Sequence, residues 1–405
     1  MSSSLSAFPE PTEGAGTRPR YELADILRLH GEEYRARHPL PLHVHRVLHA
    51  IENCRTAALG GHEEVCEGCG VIRISYNSCR DRHCPKCQGL ERVRWVEARK
   101  RELLPVPYFH TVFTLPHEFN SWVAWNEGLI YDLLFRTVAE TLQEFAARHW
   151  GGWLGLTSVL HTWGQSLEQH IHLHCIVPGC ALEFDGEGVK RCPRRTWLFP
   201  VRALSRVFRG KYLEELARLD QKGALQAPPG QDFASLREAV REQEWVVYAK
   251  PPFAGPETVV EYLGRYSHRV AISNRRILGM EEGTVAFQWK DYRDEGKKKV
   301  MRLSAEEFLR RFIHHILPPR FVRIRHHGLL ACGHRAERLN RARALLELPP
   351  VAAVERIPYD QLLQELTGQD IHRCPHCGGR LRVFREFLPR RFPSRHDPPL
   401  LSRAA

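Results

Sequence analysis

A chain of 405 residues exceeds the usual size of one hydrophobic core, so two or three domains are expected. Its apolar and charged fractions, 43% and 26%, are those of a soluble protein, and no run approaches the roughly 18 apolar residues of a membrane span. Lys plus Arg outnumber Asp plus Glu by 59 to 47 and the pI is about 9.3, a balance that favours an anionic partner such as nucleic acid.

Residues 1–20 lack the apolar segment of a signal peptide and read as a disordered lead-in. With no export signal, a bacterial-type cytoplasm is the simplest compartment, and the 12 cysteines are better read as thiolates or metal ligands than as disulfides. From Tyr21 to Ala50 the apolar positions predict helices interrupted near Pro39 and Pro41. A cysteine cluster and a basic helix over 89–104 follow, completing a zinc-binding, DNA-binding domain over 21–105.

In that cluster Cys66-Glu-Gly-Cys69 and Cys84-Pro-Lys-Cys87 are two CxxC knuckles in the spacing range of a four-cysteine zinc ribbon. Each knuckle supplies two thiolates from one tight turn, so a closed structural Zn2+ site is expected there. Cys54, His62, Cys79 and His83 are candidates for a second site or for a replacement ligand, with packing as the plain alternative. The ribbon would hold Arg92, Arg94, Arg99 and Lys100 of the basic helix against DNA.

The stretch 106–335 reads as the catalytic domain. Strands are predicted over 108–115, 157–163, 171–178 and 245–248, with helices over 127–149, 201–218 and 257–266. Another strand at 285–289 and a helix at 304–315 follow. This order is that of an α+β sheet with helices on one face. Residues 227–232 read as a linker. In 336–405, a basic region, Cys374-Pro-His-Cys377 is a lone knuckle whose nearest candidate partners are Cys332 and His334, and the tail from Arg380 is expected to wrap or dangle. Cys175, Cys180 and Cys192 are read as ordinary buried or loop residues.

Two stretches carry the chemistry. His170, His172 and His174 alternate with apolar residues, which puts three imidazoles on one face of a strand. Such a face can hold a divalent cation that polarises a phosphate oxygen. Imidazole favours a late transition metal, whereas Mg2+ or Mn2+ would be completed by phosphate and water. For the third ligand His170 fits the alternation, and Glu168, Gln169 and His161 compete. Tyr262 and Tyr266, four apart on a predicted helix, lie on one face where both hydroxyls can reach one phosphate in turn. Arg265, Arg269, Arg275 and Arg276 surround them with positive charge, which favours phenolate over a phenol of ordinary pKa near 10.

At these residues the chain resembles the HUH single-strand endonucleases, and more closely the two-tyrosine rolling-circle transposases of the insertion-sequence ninety-one family. The resemblance is carried by SYNSCRDRHCPKCQ (75–88), YFHTVFTLPHEFN (108–120), LHTWGQSLEQHIHLHCIVPG (160–179), YLGRYSHRVAISNRRI (262–277) and RIRHHGLLA (323–331). It implies an amino-terminal zinc-ribbon-like domain followed by a ferredoxin-like HUH core. It also implies a metal pair at His172 and His174 and nucleophiles at Tyr262 and Tyr266. The implied activity is nicking and transfer of single-stranded DNA at element ends through 5′-phosphotyrosine, with host replication machinery displacing the strand. Plasmid replication initiators with HUH sites often carry glutamine where this chain has Pro178, which argues against that branch. A second reading keeps the same chemistry in an HUH replication initiator or relaxase that serves plasmid replication or mobilisation, told apart by whether the DNA recognised is an element end or a plasmid origin. A third reading is a zinc-ribbon DNA-binding protein without catalysis.

Overall fold

The computed structural model describes residues 19–193, 198–250, 258, 260, 264, 270–352 and 357–389. Its central sheet is built from β3 (Tyr108–Thr114), β4 (Gly152–Trp163), β5 (Gln169–Pro178), β6 (Cys180–Glu183), β7 (Val189–Arg191), β8 (Val247–Lys250) and β12 (Ile324–Gly328). Every pairing is antiparallel, in the order β7-β6-β4-β5-β3-β8, with β12 on β4. Strand alternation sorts β5 cleanly. Ile171, Leu173, Cys175 and Val177 enter the core beneath α4 (Asn120–Trp150) and α5 (Val201–Gln221), while His172, His174 and Ile176 face the other way.

The expected α+β class with long helices on one sheet face is therefore what folds. Observed strands match the predicted ones within a few residues, except that β4 begins five residues earlier, at Gly152. The segment 227–232 leads into a short helix, Phe233–Arg241, whose N-cap Asp232 accepts from Ser235 N. Of the helix expected over 257–266 only Thr258, Val260 and Gly264 are described, each helical.

A second core lies outside the central sheet. α1 (Leu23–Arg37) and α2 (Leu42–Glu52) pack with the sheet β11-β10-β9 (Lys297–Ser304, Thr284–Asp291, Ile277–Glu281) and helix Ala305–Ile313, around Leu27, Leu48, Phe287, Phe308 and Phe312. The amino-terminal helices thus share a core with residues 271–316, far along the chain. Between α2 and the central sheet lies a hairpin of β1 (Gly61–Cys66) and β2 (Ile72–Tyr76). Its third strand is β13 (Leu381–Phe387), paired antiparallel with β1. The tail was expected to wrap or dangle from Arg380. Instead Leu381–Phe387 satisfies the open edge of β1, whose backbone groups need partners.

Candidate metal centres and the histidine face

The hairpin of β4 and β5 sets the histidine geometry. Its register places His161 directly opposite His172 and Val159 opposite His174, so all three imidazoles share one face. Their ligand nitrogens lie within 4.8 Å of one another, and His172 Nε2 and His174 Nε2 are 3.1 Å apart. Two nitrogens each about 2.0–2.1 Å from one cation stand roughly 3.0–3.4 Å apart, so the pair has the separation of neighbouring ligands.

Neighbouring groups select the ligand-competent tautomers. His172 Nδ1 donates to the His170 carbonyl at 2.8 Å. His174 Nδ1 lies 2.8 Å from Nε2 of His110 on β3, and donation in that direction turns the His174 Nε2 lone pair toward His172. The His110 and His174 rings stack at 5.1 Å. His110 did not stand out in the sequence, although its predicted strand is in register to pair with 171–178. Burial holds His172 at a pKa of about 3 and His110 at about 4, and keeps His174 well below its usual value. All three are neutral near pH 7, as a metal-ligating imidazole must be.

The third member of the cluster is His161 rather than His170. His170 is exposed, and what it supplies is its backbone carbonyl. Glu168 is likewise exposed. Residue pairing across a hairpin could have found His161, because a turn centred near Ser166 and Leu167 pairs 161 with 172.

Buried neutral histidines also make stability depend on pH. His315, outside the cluster, has a pKa lowered by burial to about 4, with Nδ1 3.2 Å from Thr162 Oγ1 and Nε2 donating to Leu167 O. Below the unfolded value near 6.5 the unfolded chain takes up the proton first, so stability falls as pH drops from there toward 4. At about pH 5 the His315 contribution to that loss is about 2 kcal/mol. Urea unfolding at about pH 7.5 and about pH 5 should therefore show a smaller pH-dependent loss in His315→Gln than in the unsubstituted chain. Equal losses would remove His315 from this account.

The cysteines form two tetrads, grouped otherwise than the knuckle spacing predicts. Cys54, Cys79, Cys84 and Cys87 are gathered in one, Cys66, Cys69, Cys374 and Cys377 in the other. In the first, Cys87 Sγ is 3.5 Å from Cys54 Sγ and 3.6 Å from Cys79 Sγ. Tetrahedral zinc with bonds of about 2.3 Å has sulfur–sulfur edges of about 3.8 Å, so these thiols fit it. The expected set of Cys66, Cys69, Cys84 and Cys87 fails for a geometric reason. Strand β2 runs from the Cys66–Cys69 turn to the far end of the hairpin, and five residues at ~3.4 Å each carry the chain roughly 17 Å away from it.

Neither expected histidine joins a tetrad. His83 bonds Asp81 through Nδ1 and accepts from Leu317 N through Nε2, which occupies both ring nitrogens. His62 lies along β1 beside Glu64. Cys332 and His334 stand apart from Cys374 and Cys377 as well. Cys175 and Cys180 are buried, as expected of ordinary core residues.

With this geometry in place, comparison with known proteins decides the family. Residues 26–115 match the family model "Transposase zinc-binding domain", and residues 155–338 match the model "Putative transposase". The chain is 49% identical over 371 residues to "Putative transposase y4qJ" of Sinorhizobium fredii, covering 88% of this chain and 92% of that one. It is 28% identical over 341 residues to "Transposase for insertion sequence element IS801" of Pseudomonas savastanoi pv. phaseolicola, covering 81% and 80%. This chain belongs to the IS91 family of transposases. No solved structure matches it. The zinc-binding domain of this transposase holds the whole of the first cysteine tetrad.

The transposase's cationic residues divide by environment. α3 (Gln88–Arg101) begins at Cys87, its N-cap, and ends beside the histidine face of the sheet. Arg99, expected on DNA, is instead engaged inside the protein. It donates to Glu102 at 2.9 Å and to His326 Nε2 at 3.1 Å, while His326 Nδ1 meets Thr157. Arg276 is engaged too, donating to the carbonyls of Gln288 and Gln165 and lying over the Phe287 ring. Arg94 and Lys100 pair with Glu91 and Glu97 on their own helix, and Arg92 and Arg275 are exposed.

Tyr262, Tyr266, Arg265 and Arg269 lie outside the described residues. Gly264, between the two tyrosines in sequence, abuts α3 so closely that a Cβ there would come within 2.1 Å of Val96 Cγ2. Among the described residues no helix is long and apolar enough to cross a membrane.

Proposed function

We propose that this transposase nicks and joins single-stranded DNA at element ends and target by the rolling-circle route. Tyr262 and Tyr266 serve as nucleophiles, and His161, His172 and His174 hold the catalytic cation. The observation that carries the reading is the face of three imidazoles, with His172 and His174 directed at a common point by the His170 carbonyl and by His110. A bound Mg2+ or Mn2+ would polarise a non-bridging phosphate oxygen and offset charge as it builds up. A tyrosine hydroxyl attacks phosphorus, the P–O3′ bond breaks, and the 3′ oxygen leaves with the proton. The product is a 5′-phosphotyrosine whose ester bond a target 3′ hydroxyl can later attack, regenerating the phenol without ATP. Two tyrosines let one strand stay attached while the next is cut. Exposed cations such as Arg92 and Arg275 contact phosphate, so binding weakens as salt rises. The enzyme works in the cytoplasm on nucleoid DNA, and host replication displaces the transferred strand.

The test is incubation of the full chain with labelled single-stranded oligonucleotides from the flanks of its gene, with Mg2+ or Mn2+, followed by denaturing electrophoresis. A covalent adduct that requires metal and is lost in the Tyr262→Phe/Tyr266→Phe double variant is expected. An adduct that survives the double substitution assigns the nucleophile elsewhere. DNA binding with no adduct on any flank leaves a zinc-ribbon binder.

A further inference from the structure

We propose that Cys66, Cys69, Cys374 and Cys377 form a second zinc site, which staples the carboxyl-terminal segment to the amino-terminal hairpin and completes the ribbon from both ends of the chain. Cys374 and Cys377 lie beyond both matched segments, which end at residues 115 and 338. Nothing in the family models therefore assigns them.

The two knuckles are built alike. In each, the first cysteine's carbonyl accepts from a glycine four residues on, Gly70 N to Cys66 O and Gly378 N to Cys374 O, both at 2.9 Å. Both glycines have φ of +74°, which a side chain would resist. Backbone amides point at sulfur: Gly68 N at 3.4 Å and Cys69 N at 3.5 Å from Cys66 Sγ, and Gly379 N at 3.4 Å from Cys377 Sγ. Donors aimed at sulfur favour thiolate, the form that binds metal.

Across the gap Cys66 Sγ is 3.4 Å from Cys377 Sγ and Cys69 Sγ is 3.7 Å from Cys374 Sγ. These separations are too long for the ~2.05 Å of a disulfide and close to the ~3.8 Å edge of a zinc tetrathiolate. Glu67 N donates to Arg380 O at 2.9 Å, joining the turns by backbone as well.

Apolar packing here is slight. Among the described residues Cys66, Cys374 and Leu381 make up the local buried cluster, while Val383 and Phe384 of β13 are exposed. So small a core does not hold a distant chain segment in place, and small domains of this kind use a metal instead. Zinc taken up at this site displaces the thiol protons, so chelator or acid should release β13 from β1.

The experiment is metal analysis of the full-length protein beside a Cys374→Ser/Cys377→Ser variant, with Cys54→Ser/Cys79→Ser as comparison. Each double variant should lose one zinc equivalent per chain, and the two losses should be separate. Hydrogen exchange adds a readout independent of how well the variants fold. Chelation of the unsubstituted protein should expose the amides of 381–387. Unchanged zinc content in Cys374→Ser/Cys377→Ser, or β13 amides indifferent to chelation, would overturn the proposal. An outcome in which 374 and 377 are disulfide-bonded to 66 and 69 under reducing purification would also do so.

Discussion

Replacement of both His172 and His174 by alanine should reduce metal-dependent cleavage by about a thousandfold or more while leaving DNA binding intact. Loss of a group that organises the transition-state charge costs on the order of a hundredfold to a thousandfold, and here both nitrogens of the 3.1 Å pair are removed. The discriminating arms are single variants. His161→Ala should cost about a hundredfold, because its ring completes the cluster, whereas His170→Ala should change the rate by less than about threefold, because its carbonyl is retained. His110→Ala should act through affinity, raising the Mg2+ or Mn2+ concentration needed for half-maximal cleavage by about ten- to a hundredfold. Saturating metal should then restore most of its rate, which it should not do for His172→Ala/His174→Ala. A larger effect from His170 than from His161 would mean that the cation sits at the open end of β5 and not between the strands.

How much of this the residues declared depends on sequence distance. Strand alternation at 170–174 displays the histidine face directly, and the long amphipathic segments give the helices that cover the opposite face of the sheet. His161 and His110 join that face only through strand pairing, which depends on register, so a pattern confined to one strand does not reveal them. The cysteines illustrate the same limit more sharply. Spacing between CxxC pairs suggested a compact ribbon of neighbours, but the intervening residues form a strand, and a strand carries its ends apart. The true partners are then 25 residues upstream for Cys79 and 305 downstream for Cys69. Charge alone makes Arg99 and Arg276 candidates for DNA contact. Burial gave them internal acceptors instead, a result no count of basic residues contains.

Disruption of the first tetrad should have the second large effect, although none of its cysteines belongs to the histidine cluster. Cys84→Ser/Cys87→Ser should release zinc, lower hydrogen-exchange protection along α3, and reduce cleavage by about a hundredfold at any Mg2+ or Mn2+ concentration. The reason is mechanical. Cys87 is the N-cap of α3, so the thiolate cluster fixes where that helix starts; further along, Val96 meets Gly264 and Arg99 reaches His326 on β12. The free energy of structural zinc binding, about 10–16 kcal/mol, exceeds or matches the ~5–15 kcal/mol by which whole domains are stable. A helix anchored that way cannot keep its position once the metal is gone. The comparison with Cys374→Ser/Cys377→Ser separates the two zinc sites by their consequences. Loss of the second site frees β13 but leaves Cys87 and α3 in place, so cleavage by that variant should stay within about threefold of the unsubstituted rate. Equal loss of cleavage in both variants would show that α3 is not the link, and that the ribbon as a whole, rather than this helix, supports the segment bearing Tyr262 and Tyr266.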